Sequence, residues 1–342
     1  MTSLMALIID GTGAQGVPIV EELTNHGFQV QVLTRDITSS NVKKLSELPN
    51  VIFSLGAVDS VPDLKRAFHG IDYAFINLNS WVLSIKDEIF WGIRIFEIAV
   101  QSSVKHYIWL SLDILFFLET KYDDPFRSVH YYGKGHVEQW ISALRQSPMR
   151  WTILATIPYL EQLWGLMRRT KGGNSVYDFR FPVNDGGFPL TCLDDMGYYV
   201  QWIIEHPGRS AGMNLKQGVE HGTPSILAKS LMEATGLPAK GTNIELDQCF
   251  EEVGWGPSRE HKMGSTKAGP NDTTLHLIYE SFSGWWKMYQ HSIDNTALIK
   301  RHYALLDEIH PHRKRSVKEW MQRVHYDADK LDIVTVTTPM AL

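Results

Sequence analysis

Short apolar runs alternate with amphipathic segments through the first half of the chain. The apolar runs predict strands at positions 6–10, 28–34, 51–55, 73–77, 106–111 and 150–154. The intervening segments repeat apolar residues at helical spacing and predict helices at positions 17–27, 41–48, 61–68, 88–102 and 129–144. In the helix at 88–102, the apolar stripe consists of Ile89, Ile93, Phe96 and Val100. Strict alternation of strands and helices predicts a parallel sheet with helices on both faces.

The first predicted strand runs directly into a glycine-rich turn, Gly11-Thr-Gly-Ala-Gln-Gly16, and a predicted helix follows it. In such a G-x-G-x-x-G turn, the first glycine permits the tight turn, the second lets the backbone approach a pyrophosphate, and the third lets the helix pack on the strand. The phosphates then lie at the helix N-terminus, where the dipole favours negative charge. The turn therefore predicts a dinucleotide site, and its candidate residues are Gly11, Thr12, Gly13, Ala14, Gln15 and Gly16.

Two charged residues follow the second predicted strand, where groups that recognise the ribose are found in dinucleotide-binding folds. Asp36 suits the 2′-hydroxyl of NAD, whereas Arg35 suits the 2′-phosphate of NADP. Arg35 comes first after the strand, and Lys43 and Lys44 lie downstream. We therefore favour NADP(H), with Asp36 as the alternative recognition residue.

The pattern loosens beyond residue 157. Helices are predicted at positions 194–204 and 225–235, and a short strand at 213–215. We predict a Rossmann-type, doubly wound α/β fold with a smaller, partly discontinuous C-terminal region. In this division, residues 1–157 form the NADP-binding domain and 190–220 return to it, whereas 158–189 and 221–342 form the substrate-binding region.

Composition narrows the class of protein. The chain has 342 residues, 44% of them hydrophobic, and a formal net charge of −5, which gives no overall attraction to nucleic acid. Its 2 cysteines cannot form a disulfide framework. We see no signal-peptide pattern, no apolar run long enough for a bilayer and no metal-binding spacing. We expect a cytoplasmic protein with a small-molecule substrate and no metal, membrane or nucleic-acid partner.

Several segments together resemble one family, the NmrA-like, atypical short-chain dehydrogenase/reductases, which are related to isoflavone reductases. Besides the glycine turn, the resemblance rests on 67–75, on 103–111, on the segment around Lys134 and on Leu193-Asp-Asp-Met-Gly197. Residues 302–311 look most similar to fungal members. Two departures stand out: Asp10 replaces a small residue before the glycines, and His130 stands where ordinary short-chain dehydrogenases carry tyrosine.

The resemblance implies a role for further residues. Asn77 and Asn79 fall where the family borders the nicotinamide side of the cofactor, and Ile157 falls in its turn after the sixth strand. Lys134 matches the family's lysine, which would orient the cofactor ribose and stabilise an oxyanion. The alternative for Lys134 is a residue on the surface of a helix.

Reduction also needs a proton source. Tyr131 would serve if an ammonium lowers its pKa, and His130 would serve without such help; the alternative is that either is a packing residue. Ser111 ends the fifth predicted strand and would hold a substrate oxygen, or would only bond its own backbone. Aromatic residues after the strands supply candidates for the substrate pocket: Trp81, Phe116, Tyr159 and Trp164.

These observations predict an NADPH-dependent reductase of a medium-sized, fairly apolar organic molecule with a C=O, C=N or C=C bond. Resemblance to fungal members suggests a role in secondary metabolism. One alternative is a non-catalytic NADP(H)-sensing regulator that binds a partner protein. Another is an isomerase or lyase that uses the same pocket. The sequence leaves open the substrate, the bond reduced, the proton donor and the oligomeric state.

Overall fold

A computed structural model describes residues 4–169, 176–252, 259–292 and 294–329 of the chain. Its strands β1 to β12 are Met5–Ile9, Gln29–Thr34, Val51–Leu55, Tyr73–Ile76, His106–Ser111, Arg150–Ala155, Met167–Arg169, Tyr177–Phe181, Phe188–Pro189, Asn214–Lys216, His221–Gly222 and Ala239–Asn243. Its helices α1 to α14 are Gly16–Asn25, Ser40–Leu45, Val61–Ala67, Ile85–Gln101, Leu115–Glu119, Val129–Ser142, Asp195–Glu205, Pro207–Ser210, Pro224–Thr235, Leu246–Glu252, Ser265–Ala268, Ile278–Gln290, Tyr303–Ile309 and Val317–Arg323. Two 3-10 helices are Asp124–Phe126 and Leu160–Leu166.

Seven parallel strands form the central sheet in the order β10-β6-β5-β4-β1-β2-β3. The chain builds outward from β1 through β2 to β3, then crosses to β4 on the other side of β1 and continues to β5, β6 and β10. Strand order therefore reverses between β1 and β4, and open α/β sheets bind their ligands at the carboxyl ends of strands at such a point. The predicted doubly wound α/β fold is confirmed.

Side-chain alternation along β1 divides the core between the two faces of the sheet. Leu7 and Ile9 pack with residues of α3, α4 and α6 on one face. Ala6 and Ile8 pack with residues of α1 and α7 on the other. Successive residues of a strand point to opposite faces, so one strand serves both hydrophobic layers. These layers fix β1, and with it the position at which the glycine turn begins.

Helix α4 departs from its predicted apolar stripe. It begins at Ile85, and of the predicted stripe Phe96 is buried, whereas Ile89, Ile93 and Val100 are only partly buried. The other buried positions are Glu88, Gly92, Ile95, Ile98 and Ala99. A Cβ atom on Gly92 would lie 2.7 Å from the Val137 side chain and 3.0 Å from that of Trp109. Because glycine permits this close approach to α6 and β5, the helix turns the face with Glu88 inward.

The later part of the chain forms a second core. Strands β7, β8 and β12 make a small sheet, and β9 pairs with β11. Side chains from α9, α12 and α14 pack beside this sheet. Strand β10 pairs with β6 of the large sheet, and α7 packs on α1. The strands of the small sheet were not predicted, and the domain boundaries stay a prediction.

A buried ion pair joins the C-terminal region to the end of the large sheet. An Arg301 guanidinium nitrogen lies 2.7 Å from an Asp113 carboxylate oxygen, and Lys216 lies 2.9 Å from the other oxygen. Arg301 also donates to the Gln217 carbonyl at 2.5 Å. Burial opposes ionisation, but Arg301 and Lys216 hold the pKa of Asp113 below its usual value. Paired burial of this kind is expensive to disrupt, so it fixes the C-terminal region against the sheet.

Candidate functional site

A chain of hydrogen bonds crosses the point at which strand order reverses. The Asn77 side-chain amide follows β4 and donates to the Asp10 carboxylate, which follows β1, at 2.9 Å. The Lys134 ammonium on α6 donates to the other end of the same amide at 3.0 Å. Behind it, Glu88 on α4 lies 3.1 Å from the ammonium. The chain Glu88–Lys134–Asn77–Asp10, called here the switch-point network, therefore links both halves of the sheet.

The glycine turn has the close packing that its motif predicts. A Cβ atom on Gly16 would lie 2.0 Å from the Asp10 carbonyl oxygen, so only glycine fits there. The Gly13 amide donates to the same carbonyl at 2.9 Å, and the Val17 amide to the Gly13 carbonyl at 3.0 Å. Helix α1 thus starts directly above β1, with its N-terminus at the carboxyl edge of the sheet. The turn suits a bound pyrophosphate because it offers helix N–H groups, although the Asp10 carboxylate lies against Gly13.

Asp10 gives this turn an unusual charge. Its backbone φ is 69°, a left-handed conformation that favours glycine or asparagine. A Cβ atom on Gly13 would lie 2.5 Å from an Asp10 carboxylate oxygen, so the carboxylate lies against the turn itself. Burial raises the pKa of Asp10 to about 6, against the opposing effects of Lys134, Asn77 and Arg35. A carboxylate that titrates near neutral pH therefore borders the candidate phosphate site.

Lys134 is a buried residue, which excludes the surface alternative. Its side chain is 7% exposed, and its ammonium also donates to the Leu78 carbonyl at 2.5 Å. Together with Asn77 and Glu88, this carbonyl provides three acceptors for the three N–H bonds of the ammonium. Burial raises the pKa of Glu88, although Lys134 and a hydrogen bond from Ser80 oppose the rise. Lys134 is therefore a fixed positive charge at the carboxyl edge of the sheet.

His130 lies against aromatic side chains of the C-terminal region. Its ring stacks on Phe282 with centroids 5.0 Å apart, and its Nδ1 lies 3.4 Å from the Ser281 hydroxyl. Burial, with the nearby charge of Lys134, lowers the pKa of His130 to about 3. The imidazole is therefore neutral at physiological pH, and proton donation from an imidazolium is disfavoured.

Tyr131 shares its hydroxyl with two buried partners. The hydroxyl lies 2.9 Å from that of Tyr289 and accepts a hydrogen bond from the Trp285 indole at 3.2 Å. Burial raises the pKa of Tyr131, which is the opposite of the lowering expected from an adjacent ammonium. This environment suits a packing residue better than a proton donor.

Ser111 has an acidic partner that the sequence did not reveal. Its buried hydroxyl donates to the Glu138 carboxylate, one helical turn beyond Lys134 on α6. The Asn214 amide donates to the other Glu138 oxygen at 2.6 Å. Burial raises the pKa of Glu138 to about 7, although hydrogen bonds and the charge of Lys216 oppose the rise. Glu138 can therefore gain or lose a proton near neutral pH while it is hydrogen-bonded to Ser111 at the end of β5.

A cleft of about 220 Å³ extends from the glycine turn along the end of β2. Arg35 lines it, and its contact with a 2′-phosphate stays a prediction. Asp36 also lines it, but its carboxylate accepts hydrogen bonds from the Thr38 amide at 2.7 Å and hydroxyl at 2.6 Å. These bonds lower the pKa of Asp36. Asp59 and Lys267 face the same cleft, with their charged atoms 2.5 Å apart. Further lining residues are Ile9, Asp10, Thr12, Leu33, Asn77, Leu78 and Asn79.

Tyr159 lies beside the glycine turn rather than in a separate pocket. Its hydroxyl accepts a hydrogen bond from the Gln15 amide, and burial raises its pKa. Ile157 is buried just after β6, two residues before it. On the other side of the turn, the Thr12 carbonyl accepts from Asn41 at 2.7 Å. The turn is therefore held from both sides by residues outside it.

The other predicted pocket residues lie in two aromatic groups. Trp81 stacks on Phe282 at 5.3 Å, and the Asn79 side chain accepts a hydrogen bond from the Trp81 amide at 2.9 Å. Phe116 is 4% exposed and lies edge-on to Phe126, with centroids 5.0 Å apart. The side chain of Trp164 lies outside the described residues. Contact of any of these residues with a substrate stays a prediction.

The described residues contain no group of three or more His, Cys, Asp or Glu side chains placed to hold a metal ion. No helix among them combines the length and apolar character needed to cross a membrane. Cys192 and Cys249 are both buried, free thiols.

The fold and its glycine turn define a Rossmann-type α/β protein. The chain belongs to the NmrA-like family, whose model matches residues 2–274. An NmrA-like family domain-containing protein of Dictyostelium discoideum is 28% identical over 240 residues, which cover 68% of this chain and 78% of that protein.

Two solved structures share the fold. NmrA, a negative transcriptional regulator in complex with NADP, has a TM-score of 0.67 and 17% identity over 97% of this chain and 99% of that one. An NADPH-dependent quinone oxidoreductase from Escherichia coli, complexed with NADPH, has a TM-score of 0.68 and 14% identity over 94% and 100%.

Three residues of the site were not predicted from the sequence: Glu88, Glu138 and Lys267. Glu88 lies on the buried stripe of α4, and an acidic residue in line with Gly92, Ile95 and Ala99 was a sign of a buried ion pair. Glu138 carries a similar sign, since it follows Lys134 by one helical turn on a buried face. Lys267 gave no sign, because its approach to Asp59 depends on how the C-terminal region folds back.

The charge of Asp10 generates a prediction about stability. The folded protein holds the Asp10 proton more tightly than the unfolded chain, since burial moves its pKa from 3.8 to about 6. Between pH 3.8 and about 6, Asp10 is already ionised in the unfolded chain but still protonated in the folded protein. The free energy of unfolding of wild type should therefore fall relative to that of Asp10→Asn as pH rises through this range. Above it, Asp10→Asn should be more stable by on the order of 2 kcal/mol. Chemical denaturation at about pH 4 and about pH 8 measures the difference.

Asp36→Asn is the matched control for Asp10→Asn. The pKa of Asp36 is lowered by its hydrogen bonds with Thr38, so its effect should have the opposite sign. A stability gain for Asp10→Asn that does not change with pH would contradict the assignment of a raised pKa.

Proposed function

We propose that this protein is an NADPH-dependent reductase of a medium-sized, fairly apolar organic molecule with a C=O, C=N or C=C bond. The observation that carries the proposal is the switch-point network, in which the buried Lys134 ammonium is connected through Asn77 to Asp10 of the glycine turn. The NADP complex of NmrA and the NADPH complex of the quinone oxidoreductase support the choice of cofactor.

The two ends of the cleft suit different parts of such a cofactor. The glycine turn offers backbone N–H groups to the pyrophosphate, and Arg35 offers a guanidinium to the 2′-phosphate. Asp36 stays the alternative ribose acceptor, because both of its bonds with Thr38 fall on one carboxylate oxygen and leave the other for a ribose hydroxyl. When bound, NADPH would supply a hydride, and the protein supplies binding, orientation and electrostatics.

Lys134 acts in this proposal as a preorganised charge. Its three N–H bonds are directed at Asn77, Leu78 and Glu88, so the ammonium keeps its position without help from a ligand. Since all three N–H bonds are occupied, Lys134 would stabilise negative charge that develops near this edge through its positive charge, which Glu88 partly offsets, and without reorganising. Glu88 positions the ammonium and reduces the cost of burying it.

Ser111 and Glu138 are better suited to supply the proton than Tyr131 or His130. Glu138 has a pKa of about 7, so part of the population carries a proton at neutral pH. Ser111 bonds that carboxyl and lies at the carboxyl end of β5, beside β4 and the switch point. When Glu138 is protonated, its carboxyl would donate to the Ser111 oxygen while the Ser111 hydroxyl gives its own proton to the substrate, which leaves Glu138 as a carboxylate and Ser111 as a hydroxyl.

A second candidate is an NADP(H)-sensing regulator that binds a partner protein. The specific observation in its favour is that His130 and Tyr131 are both committed to aromatic and hydrogen-bonded partners of α12. NmrA, which shares the fold, is a negative transcriptional regulator. A regulator of this kind would bind NADPH without consuming it.

Cofactor preference is the first test of the proposal. NADPH should bind more tightly than NADH, and Arg35→Ala should remove most of the preference, because a charge-assisted contact to the 2′-phosphate contributes about 1.5–3 kcal/mol. Titration calorimetry with both cofactors should therefore show a preference of about ten- to a hundredfold in wild type. Arg94→Ala, which removes an arginine paired with Glu97 on α4, is the control. Equal affinities in wild type would return the recognition role to Asp36 and NAD.

Turnover separates the reductase from the regulator. Wild type should oxidise NADPH in the presence of at least one member of a panel of quinones, enones and imines. Lys134→Met should lower that rate by about a hundred- to a thousandfold. The double variant Lys134→Met/Glu88→Gln should show the same loss of rate, and it leaves no buried charge without a partner.

Glu138→Gln should lower the rate of NADPH oxidation and remove its decline as pH rises through about 7. Lys105→Met, at a surface pair with Asp72, is the control. Tight NADPH binding with no oxidation by any panel member would favour the regulator.

A further inference from the structure

The C-terminal region contributes a residue to the lining of the cofactor cleft. Lys267, on the short helix α11, lines the same cleft as Arg35, which follows β2. Its ammonium lies 2.5 Å from the carboxylate of Asp59, which follows β3 and also lines the cleft. The side chain of Lys267 is 36% exposed, so its charge faces an open space and not the protein core. Two cations from distant parts of the sequence therefore line one cleft.

The segment that carries Lys267 is fixed to the loop after β4. Gly264 has a left-handed φ of 82°, and a Cβ atom there would lie 2.7 Å from the Ser84 backbone. Its amide donates to the Trp81 carbonyl at 3.3 Å. On the other side of α11, Asp272 pairs with Lys86 at the start of α4. These contacts hold residues 264–272 against residues 81–86 and place Lys267 over the cleft without a ligand.

We propose that Lys267 is a second recognition residue for the 2′-phosphate of NADP(H), and that Asp59 positions it. The inference rests on the proposed function, since it assumes that the cleft takes this cofactor. A phosphate monoester carries about −1.5 to −2 charges at neutral pH. Arg35 alone offsets one of them, while Asp36 and Asp59 add negative charge to the lining of the cleft. Lys267 offsets one further negative charge, and its three donors permit bonds to Asp59 and to a phosphate together.

The consequence is a link between cofactor type and the C-terminal region. A ligand with a 2′-phosphate would bridge Arg35 of the Rossmann sheet and Lys267 of the segment 264–272. A ligand without that phosphate would contact only the sheet side. Discrimination between NADP(H) and NAD(H) would then depend on a residue 232 positions beyond Arg35 in the sequence.

The test uses adenosine 2′,5′-bisphosphate and adenosine 5′-monophosphate as probes, because they differ only in the 2′-phosphate. Lys267→Met should weaken binding of the bisphosphate by about tenfold and leave the affinity for the monophosphate unchanged. Lys267→Arg should restore most of the lost affinity. Lys105→Met is the control, since Lys105 pairs with Asp72 at 2.7 Å outside the cleft.

Each other outcome overturns the proposal in a recognisable way. An unchanged affinity of Lys267→Met for the bisphosphate would show that Lys267 makes no phosphate contact. Equal losses for both probes would show that the substitution only displaces the segment. If wild type binds the bisphosphate no better than the monophosphate, the proposed NADP(H) function fails together with the role of Lys267.

Discussion

The buried pair of Lys134 and Glu88 is the constraint on which the candidate site depends. An isolated ammonium in the interior costs several kcal/mol even after relaxation. Here Glu88, the Asn77 amide and the Leu78 carbonyl supply three acceptors, so the charge is retained. Each of these acceptors lies on α4 or at the end of β4. The pair therefore sets the distance between α4 and α6 and the conformation of the backbone just after β4.

The same pair extends its influence to the glycine turn. Asn77 accepts from Lys134 on one side and donates to Asp10 on the other, so its orientation is determined by both charges. Asp10 in turn holds a left-handed backbone conformation at the point where β1 becomes the turn. A phosphate that approaches the turn meets the Asp10 carboxylate as well as the helix dipole. Protonation of the Asp10 carboxyl would therefore change how strongly the candidate phosphate site at the glycine turn attracts an anion.

The sequence predicted the part of the molecule that local patterns determine. The strand, glycine turn and helix at residues 5–25 follow from side-chain size and periodicity, and the structure has them at nearly the predicted positions. Lys134 was predicted through its family motif, and Arg35 through its place after β2. Their neighbours follow from tertiary packing: Glu88 faces inward because Gly92 permits a close helix contact.

Proton chemistry could be predicted only in part, because it depends on burial. The sequence placed Tyr131 and His130 one turn before Lys134, but not that α12 would cover both. Burial moves their pKa values away from the range useful for donating a proton at neutral pH. Burial also raises the pKa of Glu138, which was not predicted as a site residue, into the range useful for donating a proton at neutral pH. Desolvation is a property of the folded packing and is not visible in residue spacing.

A double-mutant cycle on the free energy of unfolding tests the central claim most directly, with Glu88→Gln, Lys134→Met and the double variant. Removal of one partner should cost about 3–5 kcal/mol, because the other charge is left buried. The double variant should cost much less than the sum of the two single changes, which gives a large coupling energy. Additive costs for the two substitutions would contradict the claim that this pair organises the site.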